Sequence, residues 1–417
     1  MISLVKYKQQ LANEELNDID GTLKQQLAAI HSKVKLHSGQ RVGIAVGSRG
    51  IYNLSSIVKT VVDVTKSWGL HPFIIPAMGS HGGATAEGQI QVIKDYGICE
   101  ETMECPIISS MDVEQVGSTV FKTPVYVSKT AFEADAIILI NRIKPHTLFS
   151  GPVESGLMKM AVVGLGKHRG ALSFHAEMKK QHPSTALEEM SSIIFQQSNV
   201  VFGIGIVENS YDHTAEIQVI PTKQIVEKEK ALLVKAKNFM PHIPCSKFDL
   251  LIVDEIGKNI SGGGMDPNIV GRYWGQAESE PAIGRIFVRN SSKQTHGNVL
   301  GIGRADFTTN RLVNGIDYSA MYTNSITSGY PESARIPIHF ESDIEALRAV
   351  AQSLGKFEIA DLDTVWIKNT LEISEFIISL SLVKKYNLDP KGIEGKPFFL
   401  ELDKPGNLLR PKFHFEQ

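Results

Sequence analysis

Cysteine is scarce in this chain: Cys99, Cys105 and Cys245 are the only three in 417 residues, and no two form a CxxC pair. That spacing excludes a cysteine zinc site, an all-cysteine iron–sulfur cluster and a disulfide framework. It fits a reducing cytoplasm. Long apolar runs are missing too. No stretch of about 18 or more apolar residues is present to span a bilayer as a helix. The opening MISLVKYKQQLANEE lacks the apolar core of a signal peptide. Charge of one sign is not in excess. A net charge of -2 gives no electrostatic case for nucleic acid or an anionic membrane. Internal repeats and low-complexity tracts are absent as well.

What remains is an ordinary globular composition, 42% hydrophobic and 21% charged. The chain is too long for one ordinary core, so two domains are expected. In the first half strands and helices alternate. RVGIAV (41–46) reads as a strand, and LSSIVKTVVDVTKSWG as a helix closed by Gly69. HPFIIPAM is a second strand, AEGQIQVIKDYG a helix closed by Gly97, and AFEADAIILI (131–140) a third strand. This βαβ rhythm predicts a mostly parallel sheet with helices on both faces. KFDLLIVDEIG (247–257), DIEALRAVAQSLG (343–355) and DTVWIKN (363–369) repeat the strand-and-helix pattern further on. The expected fold class is α/β: two α/β domains with mostly parallel sheets and an active site in the cleft between them. The expected boundaries are 1–235 for a catalytic and cofactor-binding domain and 236–385 for a second domain. A tail at 386–417 is expected to return to the first.

Ligands of such sheets bind beyond the carboxyl ends of the strands. Three strands end in polar, glycine-rich loops: GSRG (47–50), GSHGGAT (79–85) and NRIKPHTLFSG (141–151). The topology sends Arg49, His81, Arg142, Lys144 and His146 to one rim. Alone, each histidine reads as an exposed loop residue. Together they suit proton transfer in both directions, because imidazole titrates near neutral pH. GSRG is a phosphate cradle by position, which makes Gly47 and Ser48 candidates for cofactor contact. GLGKHRG (164–170) fails the dinucleotide test, being G-x-G-x-x-x-G with no acidic residue at the usual place after it. Lys159, in SGLMKMAVVGLG, reads either as a lysine on the polar side of a helix or as a desolvated nucleophile beside Met158 and Met160. His175, in ALSFHAEM, reads as a helix histidine or as a metal ligand. One histidine holds no metal tightly, so further ligands would have to come from a cofactor. In SGGGMDPN (261–268) the glycines make a tight loop flanked by Lys258 and Asp266.

Taken in order, GSRG, GSHGGAT, KPHTLFSG, GLMKM and FHAE resemble the motifs of the nickel-dependent lactate racemase family over roughly residues 40–180. The resemblance implies a nickel-pincer nucleotide (nickel pyridinium-3,5-bisthiocarboxylic acid mononucleotide) joined covalently to Lys159, with His175 completing the nickel coordination. It implies a 2-hydroxy acid substrate whose hydroxyl proton is taken by His81 or His146. The C2 hydride would pass to the cofactor and back through a 2-keto acid. Arg49 would hold the substrate carboxylate, where a guanidinium fork matches two oxygens. Lys258, from its loop position, is a candidate second anion contact. Cofactor-synthesis proteins are implied as partners. The spacing from His146 to Lys159 is longer than in the lactate racemase pattern, and an insertion within SGPVESG explains it; Lys167 and His168 stand as substitutes. Val46 and Gly50 replace the family's aspartate and proline beside the arginine. These departures favour a 2-hydroxy acid other than lactate, larger or more polar. The competing readings are a hydroxy-acid dehydrogenase or dehydratase on the same scaffold, and a non-catalytic binder of a phosphorylated metabolite.

Overall fold

The structure is a computed structural model that describes residues 2–47, 50–275 and 279–411. The chain forms two compact units. One comprises Ala12–His146 and Ser150–Met240; the other comprises Met1–Leu11, Thr147–Phe149 and Pro241–Gln417. The chain opens with β1 (Ser3–Lys8), which belongs to the second of these.

The unit beginning at Ala12 is built on a five-stranded sheet in the order β3-β2-β6-β7-β8. Its strands are β2 (Arg41–Val46), β3 (His71–Pro76), β6 (Ala136–Arg142), β7 (Val200–Glu208) and β8 (Thr214–Pro221). The first four are parallel and β8 is antiparallel. A separate hairpin joins β4 (Val113–Ser118) and β5 (Pro124–Ser128). Both faces of β2 and β6 are buried, which is why RVGIAV and AIILI are almost continuously apolar.

The helices follow their sequence signals. After α1 (Ile19–His31), α2 (Leu54–Ser67) buries Leu54, Ile57, Val58, Val61, Val62 and Thr65, one face at helical spacing. The chain leaves α2 through Gly69 and α3 (Ala86–Lys94) through Gly97, both with φ of +77°. That left-handed backbone is cheap for glycine alone. Thr85 caps α3, accepting from the Gly88 N–H at 3.0 Å. The expected strand over 131–140 begins only at Ala136, because Lys129–Phe132 closes into a helical turn. The Glu133 N–H donates to the Lys129 carbonyl at 3.0 Å there, and the Asp135 carboxylate accepts from the Arg41 N–H at 2.7 Å.

After β6 the chain runs through α4 (Leu157–Lys159), a π-helical stretch (Met160–Leu165) and α5 (Lys167–Glu177). Next come α6 (Pro183–Gln197) and α7 (Ile225–Phe239). Val42, Ile44, Val46, Ile138 and Ile140 join α1 and α2 side chains in one core.

The other unit holds an eight-stranded sheet in the order β12-β11-β10-β9-β13-β14-β1-β15. The strands are β9 (Lys247–Ile256), β10 (Ala282–Ser291), β11 (Phe307–Thr309), β12 (Ile338–Phe340), β13 (Thr364–Ile367), β14 (Glu375–Ser379) and β15 (Ile393–Phe399). From β12 to β13 the neighbours run parallel; β14, β1 and β15 pair antiparallel. The tail, expected to return to the first domain, places β15 beside β1 in this sheet and ends in β16 (Glu401–Leu402) and β17 (Leu408–Leu409). Helix α8 (Asp343–Ser353) packs Ala346, Leu347 and Val350 against Leu250, Ile252 and Trp366. Among the described residues no helix is long and apolar enough to cross a membrane.

Ile138 is fully buried at the centre of β6. Ile138→Ala is expected to destabilise its unit by about 2–5 kcal/mol. The shift of its urea midpoint at constant slope is the measurement.

Candidate active site

Because β2, β3 and β6 are parallel neighbours, their carboxyl ends share one edge. The strand order turns back between β2 and β6, since the chain passes from β2 outward to β3 and returns to β6. That reversal is where open α/β sheets bind ligands. The loops bearing Gly47, His81 and His146 all leave this edge. Ser48 and Arg49, the other candidates of the first loop, lie outside the described residues. At Gly47 a Cβ would meet Met160 Cε at 3.1 Å and Asn141 Oδ1 at 3.5 Å, so the glycine lets the end of β2 reach the π stretch.

At this edge Lys159 Nζ lies 2.6 Å from His146 Nε2. With the ammonium charged, the lysine donates and the ring accepts at Nε2, which puts the imidazole proton on Nδ1. Both side chains are half-buried. His175 follows on α5, exposed at the surface. Desolvation by the surrounding protein, then the charges of Lys159 and Lys179, push its imidazole pKa below the ordinary value. A neutral imidazole is the form that binds metal. The structure thus brings His146 and Lys159 together and puts His175 within range of the Lys159 charge. His81 shares their sheet edge, exposed, in a loop after β3 whose N–H donates to the Met78 carbonyl at 3.2 Å.

Other sequence candidates have different places. Arg142, at the end of β6, pairs with buried Glu208, and its Nη1 lies 3.3 Å from Asp212. Glu208 also accepts from the Tyr52 N–H at 2.7 Å, so the pair ties the loop after β2 to the end of β7. Lys167 is fully buried and its Nζ donates to the Pro76 carbonyl at 2.5 Å and to Gln89 Oε1 at 2.9 Å. Lys167 is therefore committed to the interior, whereas Lys159 is half-buried beside His146. Lys258 lies in the other unit, where Nζ donates to the Gly262 carbonyl and to Asn324 Oδ1, each at 3.1 Å. In the same loop, buried Arg304 Nη1 donates to the Gly263 carbonyl at 2.8 Å. Among the described residues no group of three or more His, Cys, Asp or Glu side chains is arranged to hold a metal ion.

Two supporting carboxylates escaped the sequence reading. Glu154, fully buried, accepts from the His146 N–H at 2.5 Å and the Gly151 N–H at 2.9 Å, and pairs with Lys237 at 2.5 Å. It holds the His146 loop closed from inside. An acid inside a Gly/Pro/Ser turn, PVESG, was the available signal. Glu229, on α7, sits under the start of α4 and accepts from the Met158 N–H at 3.0 Å. A Cβ on Gly156 would fall 2.4 Å from its Oε1, so glycine there is a requirement of contact. Burial pushes the Glu229 carboxyl up to about 7, against the lowering effect of the Met158 and Leu157 N–H groups. Nothing in the run VEKEKALLV marks Glu229 among its neighbours.

Residues 2–186 match the family of the lactate racemase N-terminal domain. Among solved structures the chain is similar to the lactate racemase apoprotein from Thermoanaerobacterium thermosaccharolyticum. The TM-score is 0.50 at 14% identity, covering 89% of this chain and 99% of that one. A Thermotoga maritima protein from a structural genomics programme aligns with a TM-score of 0.46 at 15% identity, over 67% of this chain and 72% of that one. At 14% identity the likeness to the apoprotein is one of fold. No curated protein matches the sequence.

Two outcomes follow from the buried carboxylates. Glu154→Ala leaves the His146 and Gly151 N–H groups without their acceptor. It is expected to cost about 1–3 kcal/mol in chemical denaturation. Glu229 holds its proton more tightly folded than unfolded. Its stabilising contribution is complete below the ordinary carboxylate pKa and is lost as pH rises through about 7. Stability measured from pH 4.5 to 7 should therefore fall less steeply in Glu229→Gln than in the parent, and equal slopes would remove Glu229 from the explanation.

Proposed function

From the membership of residues 2–186 in the lactate racemase N-terminal domain family, we propose that the chain is a nickel-pincer-nucleotide-dependent racemase or epimerase of a 2-hydroxy acid. The observation that carries the reading is the Lys159–His146 contact at 2.6 Å, with His175 close enough for the lysine charge to depress it.

These residues fit such a group. Lys159 supplies a primary amine and His175 an imidazole kept in its neutral, metal-binding form. Lys159 would carry the nucleotide, His175 would be the protein's ligand to nickel, and Gly47 and Ser48 would meet the nucleotide near the end of β2. Such a group would supply a reversible acceptor for the C2 hydride of the substrate.

The remaining work falls to the chain's own side chains. His146 and His81 take the hydroxyl proton and give it back, one for each substrate configuration; an imidazole near neutral pH does both. The redox route matters because a C2–H beside a carboxylate is a very poor acid. Arg49 is proposed to grip the substrate carboxylate and Lys258 to make a second anion contact. Val46 and Gly50 favour a substrate other than lactate. A cytoplasmic location and dependence on cofactor-synthesis proteins belong to the same proposal.

The test is intact-protein mass spectrometry with nickel analysis, on protein co-produced with a cofactor-synthesis system. The expected result is a nucleotide-sized increment mapping to Lys159, nickel near one per chain, and interconversion of one pair of 2-hydroxy acid stereoisomers. Lys159→Ala should abolish all three. No increment and no nickel, under conditions that load a known racemase, would overturn the proposal. Net oxidation or loss of water from the hydroxy acid would point instead to the dehydrogenase or dehydratase reading.

A further inference from the structure

The loop that carries His81 is held from below by side chains that the chemistry above does not use. Lys167 begins α5 with a left-handed backbone, φ of +56°, a conformation that costs a non-glycine residue about 1 to 2 kcal/mol. Its side chain runs into the protein and is fully buried. It finds two oxygens there and no carboxylate: the Pro76 carbonyl, at the end of β3, and Gln89 Oε1, in α3. Desolvation alone lowers its pKa to about 8. Gln89 is fully buried as well. Its Nε2 donates to the Gly79 carbonyl at 2.9 Å and to the His81 carbonyl at 3.4 Å.

The loop also makes backbone bonds of its own: the His81 N–H donates to the Met78 carbonyl at 3.2 Å, the Gly79 N–H to the Gly164 carbonyl at 3.4 Å and the Ala84 N–H to the Ser80 carbonyl at 3.1 Å. Gly79, Gly82 and Gly83 all have positive φ. Gly79 lies against Val163 of the π stretch, where a Cβ would come within 2.9 Å, and Gly82 lies against the Gly88–Gln89 backbone, where one would come within 2.5 Å. Glycines allow this path without enforcing it. Direction comes from the donors inside.

We propose that Lys167 is a positioning residue, which through Gln89 fixes the backbone of the Gly79–His81 loop and so sets where the His81 imidazole stands at the sheet edge. The inference deepens the racemase reading and rests on it for the role of His81, but the Lys167–Gln89–loop connection stands on geometry alone. A long, flexible side chain buried in place of an apolar one is costly. Its presence is accounted for by the Pro76 carbonyl and the Gln89 amide that it orients.

Lys167→Met, Gln89→Leu and the double variant test this by hydrogen-exchange mass spectrometry, read in peptides covering 77–89 and in the rest of the unit. Each single substitution is expected to speed exchange in 77–89 about tenfold, with β2, β6 and β7 unchanged. The double variant should be no faster than the faster single, because the two side chains act in series. On the cofactor-loaded protein, kcat should fall about 100-fold with little change in KM, as for misplacement of a reacting group. Faster exchange across the whole unit, no change in 77–89, or a double effect equal to the product of the singles would each overturn the proposal. If Lys167→Met does not fold, Gln89→Leu decides. If the parent proves inactive, the racemase reading fails, and the exchange measurements still decide the connection.

Discussion

The candidate site depends on one constraint: a parallel sheet delivers its strand ends to a single edge, and the loops there must have their backbone polar groups satisfied. In this chain buried polar side chains do that. Glu154 serves the loop bearing His146, Glu229 serves the turn that starts the Lys159 helix, and Gln89 with Lys167 serves the loop bearing His81. Each lies inside while the residue it supports faces outward. The edge can therefore be glycine-rich without being shapeless. Burying these groups is unfavourable in itself, as the raised Glu229 and lowered Lys167 pKa values record. That cost is offset by backbone N–H and carbonyl groups which would otherwise be unpaired.

The same arrangement brings chemically distinct groups within reach of one another. A primary amine and two imidazoles come from a loop and from two helices separated by a π-helical stretch. Glycine within the stretch and just after it is a matter of contact: a Cβ on Gly164 would lie 2.8 Å from the Ala77 carbonyl, and one on Gly166 would lie 2.2 Å from the Val162 carbonyl. Wider helical turns of this kind are frequent at functional sites. Here the turn lets α4 and α5 press against the sheet edge closely enough for Lys159 and His146 to meet.

Much of this was legible beforehand. RVGIAV, HPFIIP and AIILIN are apolar strands bounded by turn residues, and their parallel order follows from the helices between them. The meeting of the three loops followed from topology. Lys159 and His175 stood out by motif. What stayed hidden were the supports. Glu229 sits in a charged helical run and Gln89 in a polar one, and no local pattern says that these two turn inward. Burial is decided by the register of the helix against the sheet, which is a tertiary property. The π-helical stretch was hidden for a similar reason, since MAVVGLG satisfies an ordinary helix just as well. The strand expected to start at Ala131 begins at Ala136 because the preceding residues close a turn that propensity alone does not distinguish. Ser48 and Arg49 lie outside the described residues.

The placement of β1 has a consequence for how the polypeptide is made. Residues 3–8 are made well before their neighbours in the sheet, β14 and β15, which end at Ser379 and Phe399. Leu4 and Val5 are fully buried in the finished protein. During translation that apolar strand has no partner in the sheet until β14 and β15 have left the ribosome. A strand made before its neighbours is thus placed after them, and the eight-stranded sheet is completed only once β15 has been made. Lys6 and Lys8, alternating with the apolar residues, give the waiting strand the charge that discourages pairing with other chains.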